Sequence, residues 1–228
     1  MTPIDQPKND LLENLDNCIC EIYYFLNIHL EIYRKSEERT KKFNDFDGTI
    51  STTLYNLLFE KITLGICKLL DPAQSFGHKN ISLAAILIES RNNIQESTFE
   101  KLSKDLRSIS ESSKKLKDLR DKIFAHNSFE FYVQKIRFEG APEKQVFEIL
   151  DSISVWMNIL QNEARNTTTL YKEGIYYLDG QWFEKMLDWA LEGKNKLEKA
   201  SKGIRMNGPF LKKTYDCFQH ASIRCRFR

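Results

Sequence analysis

Leu116-Lys117-Asp118-Leu119-Arg120-Asp121-Lys122-Ile123-Phe124-Ala125-His126-Asn127-Ser128 is the stretch that decides how this chain is read. It closes a helical pattern that opens near Ser97. Leu102, Leu106, Ile109, Leu116, Leu119 and Ile123 recur at steps of three, four and seven, the spacing of one face of an α-helix. Arg120 and His126 flank Ile123, three positions to either side. At roughly 100° per residue each points about 60° away from Ile123, and the two lie about 9 Å apart along the axis. An arginine and a histidine thus border an apolar face, where a purely structural helix would leave both in water. Between Lys101 and Lys122 the same helix carries eight Lys/Arg against four acids, a surplus that suits an anionic ligand or a solvated charged face.

The pattern around this helix is also α-helical. Leu12, Leu15, Ile19, Ile22, Leu26, Leu30 and Tyr33 predict a helix from Leu11 to about Ser36, after a polar, frayed stretch at residues 1–10. Residues 37–48 are charged and end in the turn signal Asp47-Gly48, after which Ser51 or Thr52 caps a second helix. Its stripe runs through Leu54, Leu57, Leu58, Ile62, Gly65, Ile66 and Leu69, and Gly65 leaves room for a neighbouring helix. Asp71-Pro72 stops it, because a residue before proline is pushed out of the α region. Phe76-Gly77-His78-Lys79 continues a loop, and Asn80 or Ser82 caps a short helix through Glu89. Ser97 with Glu100 forms a capping box for the long helix. Phe129–Val133 reads as a short extended segment and Pro142 as the first turn of the next helix, whose stripe is Val146, Ile149, Leu150, Ile153, Trp156, Met157 and Leu160. A connection at Gly174–Gly180 leads to a last helix, Gln181–Lys202, with Trp182, Phe183, Met186, Trp189, Ala190 and Leu197 on its apolar side. The expectation is an all-α bundle of five to six helices, with a helical domain over residues 11–202.

With 228 residues and 41% hydrophobic residues, the chain is large enough for a core, and only 9 Gly and 5 Pro argue against a strand-and-turn fold. No apolar run approaches the roughly 20 residues that span a bilayer, and the first residues carry no secretion signal. Five cysteines, an odd number without a Cys-x-x-Cys pair, point to a reducing, cytoplasmic home rather than disulfides or a zinc ribbon. The net charge of +2 is uneven: residues 201–228 hold seven Lys/Arg against Asp216 alone, leaving the body at −4. The basic tail, residues 203–228, fits either a polyanion partner or a solubilising end.

At Arg120 and His126 the chain resembles the HEPN superfamily, whose motif is an arginine and a histidine four to six residues apart late in a long helix. The string Leu119-Arg120-Asp121-Lys122-x-x-Ala125-His126 is similar to the branch named after an abortive-infection system of the U type. That branch also carries an upstream Asp-Pro followed by Asn-x-Ser-Leu, matched here by Asp71-Pro72 and Asn80-Ile81-Ser82-Leu83. Together these features cover residues 11–165. The resemblance implies a HEPN-like helical domain, a composite site at a homodimer interface and metal-independent RNA cleavage giving 2′,3′-cyclic phosphates. It also implies a role as a toxin or phage-defence effector, with an antitoxin or regulatory protein as a further partner. The alternative is a non-catalytic HEPN module that binds RNA or a nucleotide, or a helical protein-interaction module.

The residue chemistry is compatible with that picture. No Gly-x-x-x-x-Gly-Lys-Ser/Thr, His-Glu-x-x-His or Gly-x-Ser-x-Gly occurs, so no phosphate loop, zinc protease helix or serine elbow is present. Nothing calls for a metal or a cofactor. His29 reads as a helix-surface residue, His78 as a loop residue and His220 as part of the tail. RNA cleavage without metal needs a base for the ribose 2′-OH, an acid for the 5′-oxygen and a cation on the phosphorane. Histidine titrates near neutral pH, and arginine matches phosphate oxygens with a planar fork. One histidine supplies only one acid–base group, so a two-fold dimer would complete the pair. His126 and Arg120 are therefore the candidate catalytic residues, with Asp121, Lys122 and Asn127 as supporting or RNA-binding residues. Asp121 can orient either of the two, Lys122 can reach phosphate, and Asn127 can equally be a helix C-cap. The RNA would be tRNA or another cellular RNA. A bland alternative has Arg120 and His126 paired with acids of the first helix.

Overall fold

The computed structural model describes residues 6–124, 143–172 and 180–203. Seven α-helices and one two-stranded hairpin occupy these residues, so the all-α expectation holds. The stretches expected as an extended segment at Phe129–Val133, as the Gly174–Gly180 connection up to Asp179 and as the basic tail beyond Gly203 lie outside the described residues, as does Pro142.

Helix α1 spans Gln6–Tyr33 and α2 spans Glu37–Leu69. The start of α1 precedes the expected Leu11, since Pro7 is compatible with a first turn. Helix α2 is interrupted at Asp47, whose backbone is extended (φ −158°, ψ 102°). The Asp47 carboxylate accepts from the N–H groups of Thr49 (2.9 Å) and Ile50 (3.0 Å). Asp47 is therefore the cap expected at Ser51 or Thr52, because an Asp side chain reaches the free N–H groups of the next turn. Ser51 is buried, and its carbonyl accepts from the Tyr33 hydroxyl (2.7 Å).

After α2 the chain forms a hairpin of β1, Gln74–Ser75, and β2, His78–Lys79, where a loop was expected. Phe76 (φ 49°) and Gly77 (φ 82°) make its tip, two successive positive φ values as a tight hairpin turn requires. Asn80 closes the base: its amide donates to the Pro72 carbonyl (2.7 Å) and the Ser75 hydroxyl (3.0 Å). Helix α3, Leu83–Ser90, is capped by Ser82, whose hydroxyl accepts from Ala85 N–H (3.3 Å).

The long helix expected over 97–126 is divided. Helix α4 is Glu96–Ser112 and α5 is Lys114–Leu119, followed by a π-helical turn, Arg120–Phe124. The N-cap is Gln95, with no side-chain cap bond, so the Ser97–Glu100 capping box does not form. The division falls at Ser113, where ψ is 1°. Its hydroxyl, like that of Ser112, donates to a carbonyl of the preceding turn (2.8 and 2.9 Å). Serines that bond back in this way compete with the helical ladder and bend it. Helices α6, Glu143–Arg165, and α7, Gly180–Gly203, complete the set.

The chain forms two compact units, Met1–Asn27 with Leu58–Tyr176, and Ile28–Leu57 with Tyr177–Arg228. In the first, Leu15, Ile19, Ile62, Ile66, Leu83, Ile86, Leu102, Leu116, Leu150, Ile153 and Trp156 are all but fully buried. Gly65 lies on this core as its spacing suggested: a Cβ there would sit 2.7 Å from Ile22 Cγ1. Trp156 Nε1–H donates to the Leu102 carbonyl (2.8 Å), pinning α6 to α4, and the Tyr23 hydroxyl meets Asp151 (3.0 Å) and Ser154 (2.8 Å) of α6.

The second unit packs Ile32, Phe43 and Leu187, flanked by Phe46, Leu54 and Phe183. Arg39 is buried there between Glu31 and Glu184. His29 is buried rather than on a surface, in tilted ring contacts with Tyr33 and Tyr55, and burial lowers its pKa to about 4. Of the apolar side expected for α7, Trp182, Met186, Trp189 and Leu197 are instead exposed, by 55, 56, 61 and 73%. Within this unit the small core engages only Phe183 and Leu187, so the stripe on α7 is broader than the apolar surface that meets it.

Candidate functional site

The end of α2 and the π-helical turn meet at a single ion-pair cluster. Leu70 N–H still bonds to the carbonyls of Ile66 and Cys67 (3.2 Å each), but Asp71 precedes Pro72 and leaves the helical path. Its carboxylate Oδ1 accepts from Arg120 Nη1 at 2.8 Å, while Asp121 Oδ1 accepts from Arg120 Nε at 2.7 Å. The Arg120 side chain is 23% exposed, Asp71 33% and Asp121 57%. Hydrogen bonding to Asp121, then to Asp71, raises the Arg120 pKa above its ordinary value against the opposing effect of burial, so the guanidinium is always charged. Two of its five N–H groups serve these carboxylates, and among the described residues no other hydrogen-bond partner of the guanidinium is seen.

The local fold produces this geometry. A π-helical turn inserts a residue relative to an α-turn, and such turns recur at functional sites. It also changes the angular step between side chains, so the 60° offset expected of a regular helix between Arg120 and Ile123 does not apply. Lys117, one α-turn before, donates to the Leu70 carbonyl (3.4 Å) and ties α5 to the end of α2. Cys67 is wholly buried beside the cluster, and burial pushes its thiol up to about 11 despite Arg120. It is not a nucleophile at neutral pH. Lys122 is exposed. His126 and Asn127 lie outside the described residues. The acids that hold Arg120 are Asp71 and Asp121, not acids of α1.

Asp71 is the residue of this cluster that the reading of the helix face missed. Its signal was present as the upstream Asp71-Pro72. Two features 49 residues apart in sequence come together in one ion pair.

The profile of one family, described as AbiU2 and of HEPN type, matches residues 8–183. The chain belongs to the HEPN AbiU2 family. The match includes Asp71, Arg120 and the 116–128 stretch, and ends just inside α7. No curated protein and no solved structure matches the chain. Among the described residues of this AbiU2-family chain, no helix is long and apolar enough to cross a membrane, and no three His, Cys, Asp or Glu side chains gather as a metal site.

Beside Asp71, on the side of α1, opens a cavity of about 460 Å³. Ile22, Phe25, Leu64, Leu69 and Ile81 form its apolar lining, and Lys61, Lys68 and Lys79 its basic one. Lys61 pairs with Glu21 (3.2 Å) and Lys79 with Glu89 (3.7 Å). Lys68 is exposed and has no ion pair among the described residues.

Proposed function

We propose that this AbiU2-family chain is a metal-independent endoribonuclease of HEPN type, acting in the cytoplasm as a toxin or phage-defence effector. The observation that carries the reading is Arg120: a half-buried, permanently charged guanidinium, aimed by two carboxylates at the start of a π-helical turn, inside the family-matched region. Such a group holds a phosphate and stabilises the charge that grows on its oxygens. In this reaction the ribose 2′-oxygen attacks the adjacent phosphorus and the bond to the 5′-oxygen breaks. One His126 takes the 2′-proton and its symmetry mate in a homodimer donates a proton to the departing 5′-oxygen. The products are a 2′,3′-cyclic phosphate and a 5′-hydroxyl. Lys122, Asn127 and the basic tail, residues 203–228, add phosphate contacts, and a toxin of this kind requires an antitoxin or regulatory partner.

The test is incubation of the purified protein with tRNA or total RNA in EDTA. Cleavage is expected from the wild type and not from Arg120→Ala or His126→Ala; cleavage undiminished in His126→Ala refutes the assignment. One observation favours a second reading, a non-catalytic HEPN module: two carboxylates already occupy Arg120. That module would bind RNA with a salt-dependent affinity and leave it intact.

A further inference from the structure

We infer that the cavity between α1, α2 and the β1–β2 hairpin is a subsite for one base of a single-stranded RNA, adjacent to the phosphate held by Arg120. This inference rests on the RNA reading above. Asp71 connects the two places: its carboxylate grips Arg120, and the residue is also part of the cavity wall. A strand whose phosphate lies on Arg120 therefore has the cavity as its neighbour.

The cavity's chemistry is that of a nucleotide. Its volume of about 460 Å³ is within the usual range for small-ligand sites. The apolar lining of Phe25, Leu64 and Ile81 suits the face of a base, which stacks or packs without regard to sequence. Lys61 Nζ lies over the Phe25 ring at 5.4 Å and pairs with Glu21 at 3.2 Å, which puts a cation at this edge. Lys68 carries the charge left over for a phosphate. Gly65 makes room: any side chain there would run into Ile22 and narrow the cavity.

The experiment uses the full chain and a fluorescent six-nucleotide single-stranded RNA with 2′-fluoro in place of the 2′-hydroxyl at each position, so that binding is read without cleavage. A second set replaces one base at a time by an abasic site. Anisotropy is expected to show that one abasic position weakens binding about tenfold in the wild type. Leu64→Trp, which fills the cavity, is expected to erase that difference, and Lys68→Glu, on an exposed position, to weaken all the oligonucleotides. Circular dichroism checks that both variants are folded. Equal affinity for every abasic oligonucleotide, or wild-type affinity in Lys68→Glu, overturns the subsite. If Arg120→Ala alone weakens binding, the subsite falls while the RNA reading stands. If the wild type binds no oligonucleotide, both fall.

Discussion

Replacing Gly65 by alanine tests the packing of α1 against α2, and the expected sign follows from two opposed effects. Alanine in a helix interior is favoured over glycine by about 1 kcal/mol. Against this, the new methyl would lie 2.7 Å from Ile22 Cγ1 and 3.0 Å from Ile22 Cδ1. Ile22 is buried at 4% exposure and, being β-branched in a helix, has essentially one χ1 rotamer open to it. It cannot swing aside, so the overpacking cost belongs in the upper part of the usual ~1–3 kcal/mol. Gly65→Ala should therefore destabilise the protein by about 1–2 kcal/mol, the larger effect winning. Ile22→Ala removes both offending carbons and on its own costs ~2–5 kcal/mol through the space it leaves. In that background Gly65→Ala should change sign and stabilise by up to about 1 kcal/mol. Urea unfolding of the four proteins, followed by far-ultraviolet circular dichroism, measures the cycle. A higher midpoint for Gly65→Ala in the wild-type background, or the same change in both backgrounds, would refute the close approach of the two helices.

Three further outcomes are expected. His29 has its pKa lowered from 6.5 to about 4 by burial, so the unfolded chain binds the extra proton between these values. The contribution is fully present above pH 6.5 and is lost as pH falls toward 4, by about 2 kcal/mol at pH 5. His29→Phe should remove that slope from urea midpoints measured between pH 7 and 5, and an unchanged slope contradicts it. Trp156→Phe deletes the donor to the Leu102 carbonyl and part of a fully buried ring, and should cost about 1–3 kcal/mol by thermal or urea unfolding; a neutral result counts against the α4–α6 contact. Arg120→Lys keeps the charge but not the fork that spans Asp71 and Asp121, so RNA cleavage should fall about 100-fold. Because the pairs are partly exposed, stability should stay within about 1 kcal/mol; full activity in this variant would exclude a bidentate role.

The helical class was legible because apolar residues on one face recur with the period of the helix, and α1, α2 and α6 carry such stripes over many turns. Caps were less legible. Ser82 capped as its position suggested, but Asp47 took the place of Ser51, since several short polar side chains near a helix start compete and backbone geometry selects among them. The division at Ser113 was hidden for a similar reason: serines continue a helical pattern on paper, while their hydroxyls compete for its carbonyls.

For the site, residue chemistry and spacing along the chain singled out Arg120, and the string around it carried the family. Those are local properties, available wherever side-chain type and helical period suffice. What needed three dimensions was the partner of the guanidinium. Asp71 reaches Arg120 only because Pro72 turns the chain out of α2, Lys117 anchors α5 to that turn, and a π-helical turn re-aims the arginine. The same holds for the cavity and the bare aromatic side of α7. Each depends on which surfaces meet in space, and a one-dimensional pattern marks a face as apolar without saying what, if anything, covers it.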